Sequence, residues 1–391
     1  MITFLQGNCL DKIQELDDNS IDCVVSSPPY FGLRDYGVDG QFGLEKTYQD
    51  YIANTVKVFE TFKPKLKDTA TIWWNVGDSY ASNGVYINSW YEKEKNKNKK
   101  HLHTKNKERY SDRKAYRDET IKAKDLLMIP NRVAIALQDA GWYIRSEIIW
   151  HKPNPMPESV RDRPTSCHEK IWLITKNKKY YYDVDAIREP CTESTKQRYK
   201  SGWNGNEKRD FPGSQQNNFS KYIGSEKSKQ DALKGKNKRN VWTVTTKPCK
   251  EAHFATFPKD LIEPCIKAGC PEKVCVECGT PYLRNFKIIT TPKRETRNNM
   301  VNVIPNRDKP TRMNSKNMES LIKEDLGFKK DCNCETDEFK SGVVLDTFGG
   351  SGTTGIVAKS LNRQSILIEL NPEYIKIAKK RAEKEFGLFN E

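Results

Sequence analysis

The sequence predicts an α/β protein built on one seven-stranded, mostly parallel sheet, and three observations predict it. Short apolar runs rich in Val and Ile begin near residues 2, 21, 69, 143, 169, 343 and 365, and runs of that length read as strands buried on both faces. Stretches with helical apolar spacing, such as residues 48–62, separate several of them. The last two runs, with their flanking helices, make too small a sheet to bury both faces alone, so they must dock on the N-terminal strands.

Taken in order, residues 2–5 form a strand, Gln6-Gly7-Asn8 a turn and residues 9–16 a short helix. The apolar run Ile21-Asp22-Cys23-Val24-Val25 then leads into Ser27-Pro28-Pro29-Tyr30. Two successive prolines cannot continue a strand ladder, so the chain leaves the sheet there. Pro28 gives up its amide donor and keeps its carbonyl, which makes a stiff, acceptor-rich turn with an aromatic ring beside it. An amino group on a flat ring is the natural guest: the Ser27 hydroxyl and the Pro28 carbonyl accept its hydrogens while Tyr30 stacks, an arrangement suited to a flipped-out nucleobase. The alternative is a Pro-Pro turn with a packing tyrosine.

After a glycine-rich stretch at 37–43 and the helix at 48–62, residues 69–76 form the next strand, ending near Gly77-Asp78. A basic insert spans about 84–124, and within it residues 91–124 are dominated by Lys, Arg and Asn without apolar periodicity, as in a solvated loop or arm placed to track phosphates. Residues 126–140 read as an amphipathic helix interrupted by Pro130, and 143–150 and 170–175 as strands. His151-Lys152-Pro153-Asn154-Pro155-Met156-Pro157 and Arg161-Asp162-Arg163-Pro164 form a stiff basic loop between them.

Near the C-terminus, residues 342–346 form a strand, Thr347 to Thr354 a glycine-rich turn, 355–361 a helix and 365–369 a second strand ending in Glu369. Glycines allow a cofactor close to the backbone, and a carboxylate ending the next strand is placed to accept hydrogen bonds from ribose hydroxyls. Residues 372–386 close the sheet as a helix.

With both motifs in place, the chain resembles the DNA amino-methyltransferases that use S-adenosylmethionine to methylate cytosine N4 or adenine N6. In that family a (Ser/Asn/Asp)-Pro-Pro-(Tyr/Phe) turn holds the target amine, which assigns Ser27, Pro28, Pro29 and Tyr30 to catalysis. An Asp-Pro-Phe-x-Gly-Ser-Gly-Thr loop binds cofactor, which assigns Asp346, Phe348, Gly350, Ser351, Gly352 and Thr353, with Glu369 on the next strand; Thr347 replaces the usual proline. The resemblance also implies Asn8 near the cofactor's adenine and places Phe257, in the segment 253–262, by its methionine end. The order of motifs, Pro-Pro turn early and cofactor loop late, matches the family's beta group, so the expected architecture is the Rossmann-like class I methyltransferase fold, circularly permuted. The family keeps a loop like 151–164 beside the target base. Within it, serine at the first motif position is commoner in enzymes acting on cytosine N4, and aspartate in those acting on adenine N6, so cytosine N4 is favoured and adenine N6 is the alternative.

The expected organisation is a catalytic half (1–185), a target-recognition region (186–250), a cofactor-contacting segment (251–269), a zinc insert (270–335) and a cofactor-binding half (336–391). The recognition region owes its assignment to the family position and to Tyr199, Trp203, Phe211, Phe219 and Tyr222 interleaved with basic residues; a flexible surface insertion is the alternative. Among eleven cysteines, Cys275-x-x-Cys278 has zinc-knuckle spacing and Cys332-x-Cys334 supplies a tighter pair. Cys265 or Cys270 could replace one ligand, and ordinary buried cysteines are the alternative.

The 67 Lys and Arg against 52 Asp and Glu, a formal charge of +15, favour a polyanionic partner, and double-stranded DNA is expected, with a cognate restriction endonuclease as a possible companion. No run of eighteen apolar residues and no signal peptide is present, so a soluble, cytoplasmic protein with no membrane association is expected.

Rival functions explain less. Gly350-x-Gly352-x-x-Gly355 followed by Glu369 also fits a nicotinamide-dependent oxidoreductase, but Ser27 to Tyr30 has no role in hydride transfer. A cytosine-C5 methyltransferase needs a cysteine where Tyr30 stands. A non-enzymatic zinc-containing DNA binder leaves the cofactor loop unexplained.

Overall fold

A computed structural model of the protein describes residues 1–33, 36–81, 121–195, 235–246, 257–290 and 321–387. Most of the basic insert, most of the recognition region including its five aromatics, and residues 251–256 of the cofactor-contacting segment lie outside them. The chain divides into two compact units, one of Met1–Ala186, Arg239–Tyr282 and Lys330–Glu391, the other of Ile187–Lys238 and Leu283–Lys329.

The first unit holds the main sheet. Its strands are β1 (Ile2–Gln6), β2 (Ile21–Ser26), β3 (Leu66–Val76), β4 (Tyr143–His151), β5 (His168–Thr175), β6 (Val241–Thr243), β11 (Val343–Asp346) and β12 (Gln364–Glu369), in the order β1-β12-β11-β2-β3-β5-β4-β6. Pairing is parallel except where β5 runs antiparallel to β3 and β4. The sheet thus has eight strands, not seven. The extra one, β6, has three residues, too few to show a period, and it forms because Trp242 is buried and Ile149, Trp150 and His151 pair with it.

All six residues of β2 are buried, as a central parallel strand requires. Successive side chains alternate between faces, so Trp74 meets Phe59, with ring centroids 5.0 Å apart, while Trp73 stacks at 6.4 Å on Tyr182. Helices α1 (Cys9–Gln14), α2 (Tyr48–Phe62) and α3 (Ile129–Asp139) cover the Trp74 face, with Ile13, Val58, Phe62, Val133 and Leu137 buried against Val24 and Ile72. Thr47 caps α2, its hydroxyl accepting from the Asp50 amide at 3.1 Å. The expected interruption at Pro130 is corrected: α3 starts at Ile129, so the proline sits in the first turn, where a missing amide leaves no helical bond unmade.

On the other face lie α4 (Lys259–Gly269) and α5 (Thr353–Ser360), with α6 (Pro372–Phe386) beside α5. Helix α4 contains Pro264 and was not evident from the sequence; Leu261, Ile262, Cys265 and Ile266 are buried along it. A Cβ on Gly269 would lie 2.3 Å from the Thr71 hydroxyl and from Trp73 Nε1, so α4 meets β3 without room for a side chain. Asp22, 2 % exposed at the start of β2, pairs with Lys67 at 2.7 Å and accepts the Val343 amide at 2.9 Å, tying β11 to the sheet.

The same unit carries a small ladder in which β7 (Val274–Cys275) pairs antiparallel with β10 (Phe339–Lys340). In the second unit, β8 (Leu283–Thr290) and β9 (Leu321–Lys329) form an antiparallel pair, and Glu189 bridges Lys236.

Candidate active site

In an open α/β sheet, ligands bind outside the carboxyl ends of the parallel strands, where the strand order reverses. Here β1 leads into Gly7-Asn8 and β2 into Ser27, while β3 ends at Asn75-Val76, β11 at Asp346 and β12 at Glu369. Those ends line a single cavity of about 890 Å³, a size typical of small-molecule sites. Ser27, Pro28, Pro29, Tyr30, Asn8, Phe257, Asp346, Phe348, Gly350, Ser351, Thr353 and Glu369 all reach it. Gly352 does not: it starts α5 with φ +80°, and a Cβ there would lie 2.8 Å from Ala378 of α6, so its part is to turn the chain where no side chain fits.

The glycine-rich loop after β11 is braced from behind. Asp346 is buried, and its Oδ1 accepts the Ser26 hydroxyl at 2.7 Å and the Phe348 amide at 3.1 Å, while Oδ2 accepts the Thr354 hydroxyl at 2.6 Å. Burial pushes its carboxyl above the usual range against those donors. Thr347, at the usual proline position, brings its hydroxyl within 3.1 Å of Ser26, so the departure adds a contact to this network. Arg381 of α6 donates to the Ser351 carbonyl and hydroxyl, each at 2.5 Å, and clamps the loop.

Glu369 accepts the Gly350 amide at 2.8 Å on Oε2 and the Asn371 amide at 2.8 Å on Oε1. Each oxygen keeps a lone pair, and burial, opposed by those two amides, raises its pKa. Asn8 caps α1, its Oδ1 accepting the Leu10 amide at 2.9 Å. This acceptor set, the close glycine backbone and the cavity fit S-adenosylmethionine: Glu369 would take the ribose hydroxyls, with Asn8, Phe348 and Phe257 lining the rest.

Across the cavity, Tyr30 donates to Glu169 Oε2 at 2.5 Å, and Asn75 Nδ2 donates to the Tyr30 hydroxyl at 2.6 Å, to Glu169 Oε2 at 3.1 Å and to Ser27 at 3.2 Å. Lys152 pairs with the other oxygen of Glu169, and its ammonium lies 4.4 Å from the Trp150 ring centroid. Burial first, and Glu169 second, hold the Tyr30 phenol well above its ordinary pKa. Asn75 and Glu169 were absent from the sequence-based candidates, and Lys152 entered only as part of the basic loop 151–157. For Asn75 the readable signal was position, one residue from the end of a parallel strand, whereas Glu169 arrives through the antiparallel register of β5 on β3.

Cys275, Cys278, Cys332 and Cys334 lie outside this cavity, and their sulfurs lie within 4.8 Å of one another. Cys265 and Cys270 do not join them: both are buried, with thiols directed at the Leu261 and Pro271 carbonyls.

The comparisons with known proteins agree with this geometry. A family profile described as DNA methylase matches residues 21–277 and 279–380. The chain is 35% identical over 375 residues to the Type II methyltransferase M.SmaI of Serratia marcescens, spanning 96% of this chain and 88% of that one. It is 33% identical over 383 residues to the Type II methyltransferase M.Cfr9I of Citrobacter freundii, spanning 98% and 88%. Among solved structures, the PvuII DNA methyltransferase (cytosine-N4-specific) aligns with a TM-score of 0.51 at 15% identity over 98% of this chain and 89% of that chain, which shows a shared fold. No helix among the described residues is long and apolar enough to cross a membrane. Strand-end cavity, Pro-Pro-Tyr turn, glycine loop and family match converge, and the chain belongs to the N6/N4 DNA methylase family of S-adenosylmethionine-dependent DNA methyltransferases.

Proposed function

We propose that the enzyme methylates N4 of cytosine at a specific site in double-stranded DNA. The observation that carries this reading is the joining, in one cavity, of the Ser27-Pro28-Pro29-Tyr30 turn and the Glu369 end of the cofactor loop. S-adenosylmethionine, when bound, supplies an electrophilic methyl group on its sulfonium. The chain's part is to hold the amine. An exocyclic nitrogen delocalises its lone pair into the ring and is a poor nucleophile. Acceptors at the Ser27 hydroxyl and the Pro28 carbonyl hold both amino hydrogens, localise the lone pair and orient it, so alignment and electrostatics dominate. Tyr51 donates to the Pro29 carbonyl at 3.2 Å, while the Pro28 carbonyl receives no hydrogen bond from the described residues. Flipping the base costs roughly a few kcal/mol, which stacking on Tyr30 offsets.

Serine rather than aspartate at position 27 supports cytosine over adenine. Residues 151–164 face the DNA: Asn154 exchanges hydrogen bonds with Thr246, 3.1 Å from Thr246 N to Asn154 Oδ1, which fixes the loop beside the cavity mouth. The region 186–250 reads the sequence. The Type II relatives also support a companion endonuclease of the same specificity. Incubation of purified protein with unmethylated duplex DNA and labelled S-adenosylmethionine, followed by nucleoside digestion and mass spectrometry, tests the reading. Label in N4-methylcytosine is expected; label in N6-methyladenine would overturn the base assignment and leave the site intact.

A further inference from the structure

We propose that Cys275, Cys278, Cys332 and Cys334 hold one structural zinc ion that staples the segment leading into the cofactor strand β11. Four thiolates about 2.3 Å from a tetrahedral zinc stand about 3.8 Å apart. The four sulfurs here already lie within 4.8 Å of one another, and none is disulfide-bonded. Closing onto zinc therefore needs side-chain adjustment of about an ångström, with each thiol giving up its proton to solvent.

The backbone is arranged as a ligand turn. Gly279, with φ +70°, follows Cys278 and returns its amide to the Cys275 carbonyl at 3.0 Å, which folds the Cys-x-x-Cys segment back on itself. The tight spacing of the second pair has its own cause. Lys330 donates to the carbonyls of Cys334 and, at 2.7 Å, Thr336, curling residues 332–336 so that both sulfurs face the first pair. Hydrophobic burial holds only one side of this module, where Val274, Cys275 and Tyr282 are buried and Tyr282 packs 6.2 Å from the Phe339 ring. No residue from 330 to 340 is buried, Phe339 is 50% exposed, and the β7–β10 ladder is two residues long. A segment of such poor burial needs a cross-link, and a closed tetrathiolate site supplies one. Cys278 and Cys332 also bracket the chain excursion that contains β8 and β9, so one ion closes a long loop.

The site bears on function through covalent continuity. Residue 340 ends β10, Gly342 donates its amide to Pro271 at 3.2 Å, and β11 begins at Val343 and delivers Asp346 to the cofactor loop. A Cβ on Gly342 would lie 2.5 Å from the Pro271 carbonyl, so the lead-in is already tight.

Protein purified under reducing conditions from zinc-supplemented culture is assayed by elemental analysis, with about one zinc per chain expected. Cys278→Ser and Cys332→Ser each lose it, and Cys167→Ser, remote from the cluster, keeps it. Should the serine variants fail to fold, wild-type protein stripped with an organomercurial and reloaded with cobalt(II) gives the second readout: intense visible d–d and thiolate charge-transfer absorption is expected. Absence of zinc with all four thiols titrating as free groups would overturn the proposal. So would a disulfide within the set, or zinc retained in both serine variants.

Discussion

Gly77→Ala tests the placement of Tyr30 without touching any group that meets substrate. A Cβ at residue 77 would lie 2.5 Å from Tyr30 Cε2 and 2.9 Å from Cδ2, whereas ordinary contact begins at 3.4 Å, so the ring must retreat by about 0.9 Å (3.4 minus 2.5). The phenol is held at 2.5 Å by Glu169 and at 2.6 Å by Asn75. A retreat of that size carries both contacts to or beyond the limit of a good hydrogen bond. A charge-assisted and a neutral hydrogen bond weakened together, with crowding added, lower stability by about 2 kcal/mol. A misplacement of about 1 Å in a positioned group lowers turnover by about a hundredfold. The assays are kcat by label transfer to DNA, cofactor affinity by calorimetry and Tm by thermal scanning. The expected result is a fall in kcat and Tm with unchanged cofactor affinity. Wild-type kcat and Tm in Gly77→Ala would refute the claim that this contact positions Tyr30.

Ser27→Ala removes the proposed acceptor for the target amine and is expected to lower kcat by about ten- to a thousandfold, with cofactor affinity kept, in the same label-transfer assay. Asp346→Asn puts an amide where the Thr354 hydroxyl donates at 2.6 Å or Ser26 donates at 2.7 Å. Leaving one donor unpaired destabilises by about 1–3 kcal/mol, read as a lower Tm with weaker cofactor binding. Burial raises the Glu369 pKa above its ordinary 4.5, so the folded protein holds that proton more tightly than the unfolded chain. The group therefore lowers stability as pH rises from the ordinary value through the raised one. If the ribose hydroxyls donate to Glu369 as proposed, they need its ionised form, so affinity for S-adenosylmethionine is expected to fall as pH drops through the raised value. Calorimetry across pH checks this, and Glu369→Gln should flatten the dependence.

The parts of the fold that were legible are those whose physics is local. The run Ile21 to Val25 before a Pro-Pro step marks β2 and its exit, and glycines between two apolar runs mark the loop after β11. The first cysteine pair declares itself by spacing. Residues set by tertiary register were not legible. Glu169 meets Tyr30 because β5 pairs antiparallel with β3, Val76 against Lys170, and nothing near residue 169 encodes that partner. Strand β6 exists only because Trp242 finds a buried place next to β4, and α4 hides its period behind Pro258 and Pro264. Lys330 explains how Cys332 and Cys334 turn inward, a role carried by three-dimensional contacts with Cys334 and Thr336.

The strand order has a consequence for how the molecule is made. Strands β1 and β2 are synthesised about 300 residues before β11 and β12, from residues 343–369, yet those later strands lie between them. Until those residues leave the ribosome the nascent chain carries a gap in its sheet, with bare β1 and β2 edges and the Pro-Pro-Tyr turn facing an absent neighbour. Pairing across so large a sequence separation is slow, and unpaired edges invite association with other chains. The cavity at the strand ends therefore closes only after residues 343–374 are made, and a product truncated before residue 343 carries the Pro-Pro-Tyr turn without the glycine loop that faces it.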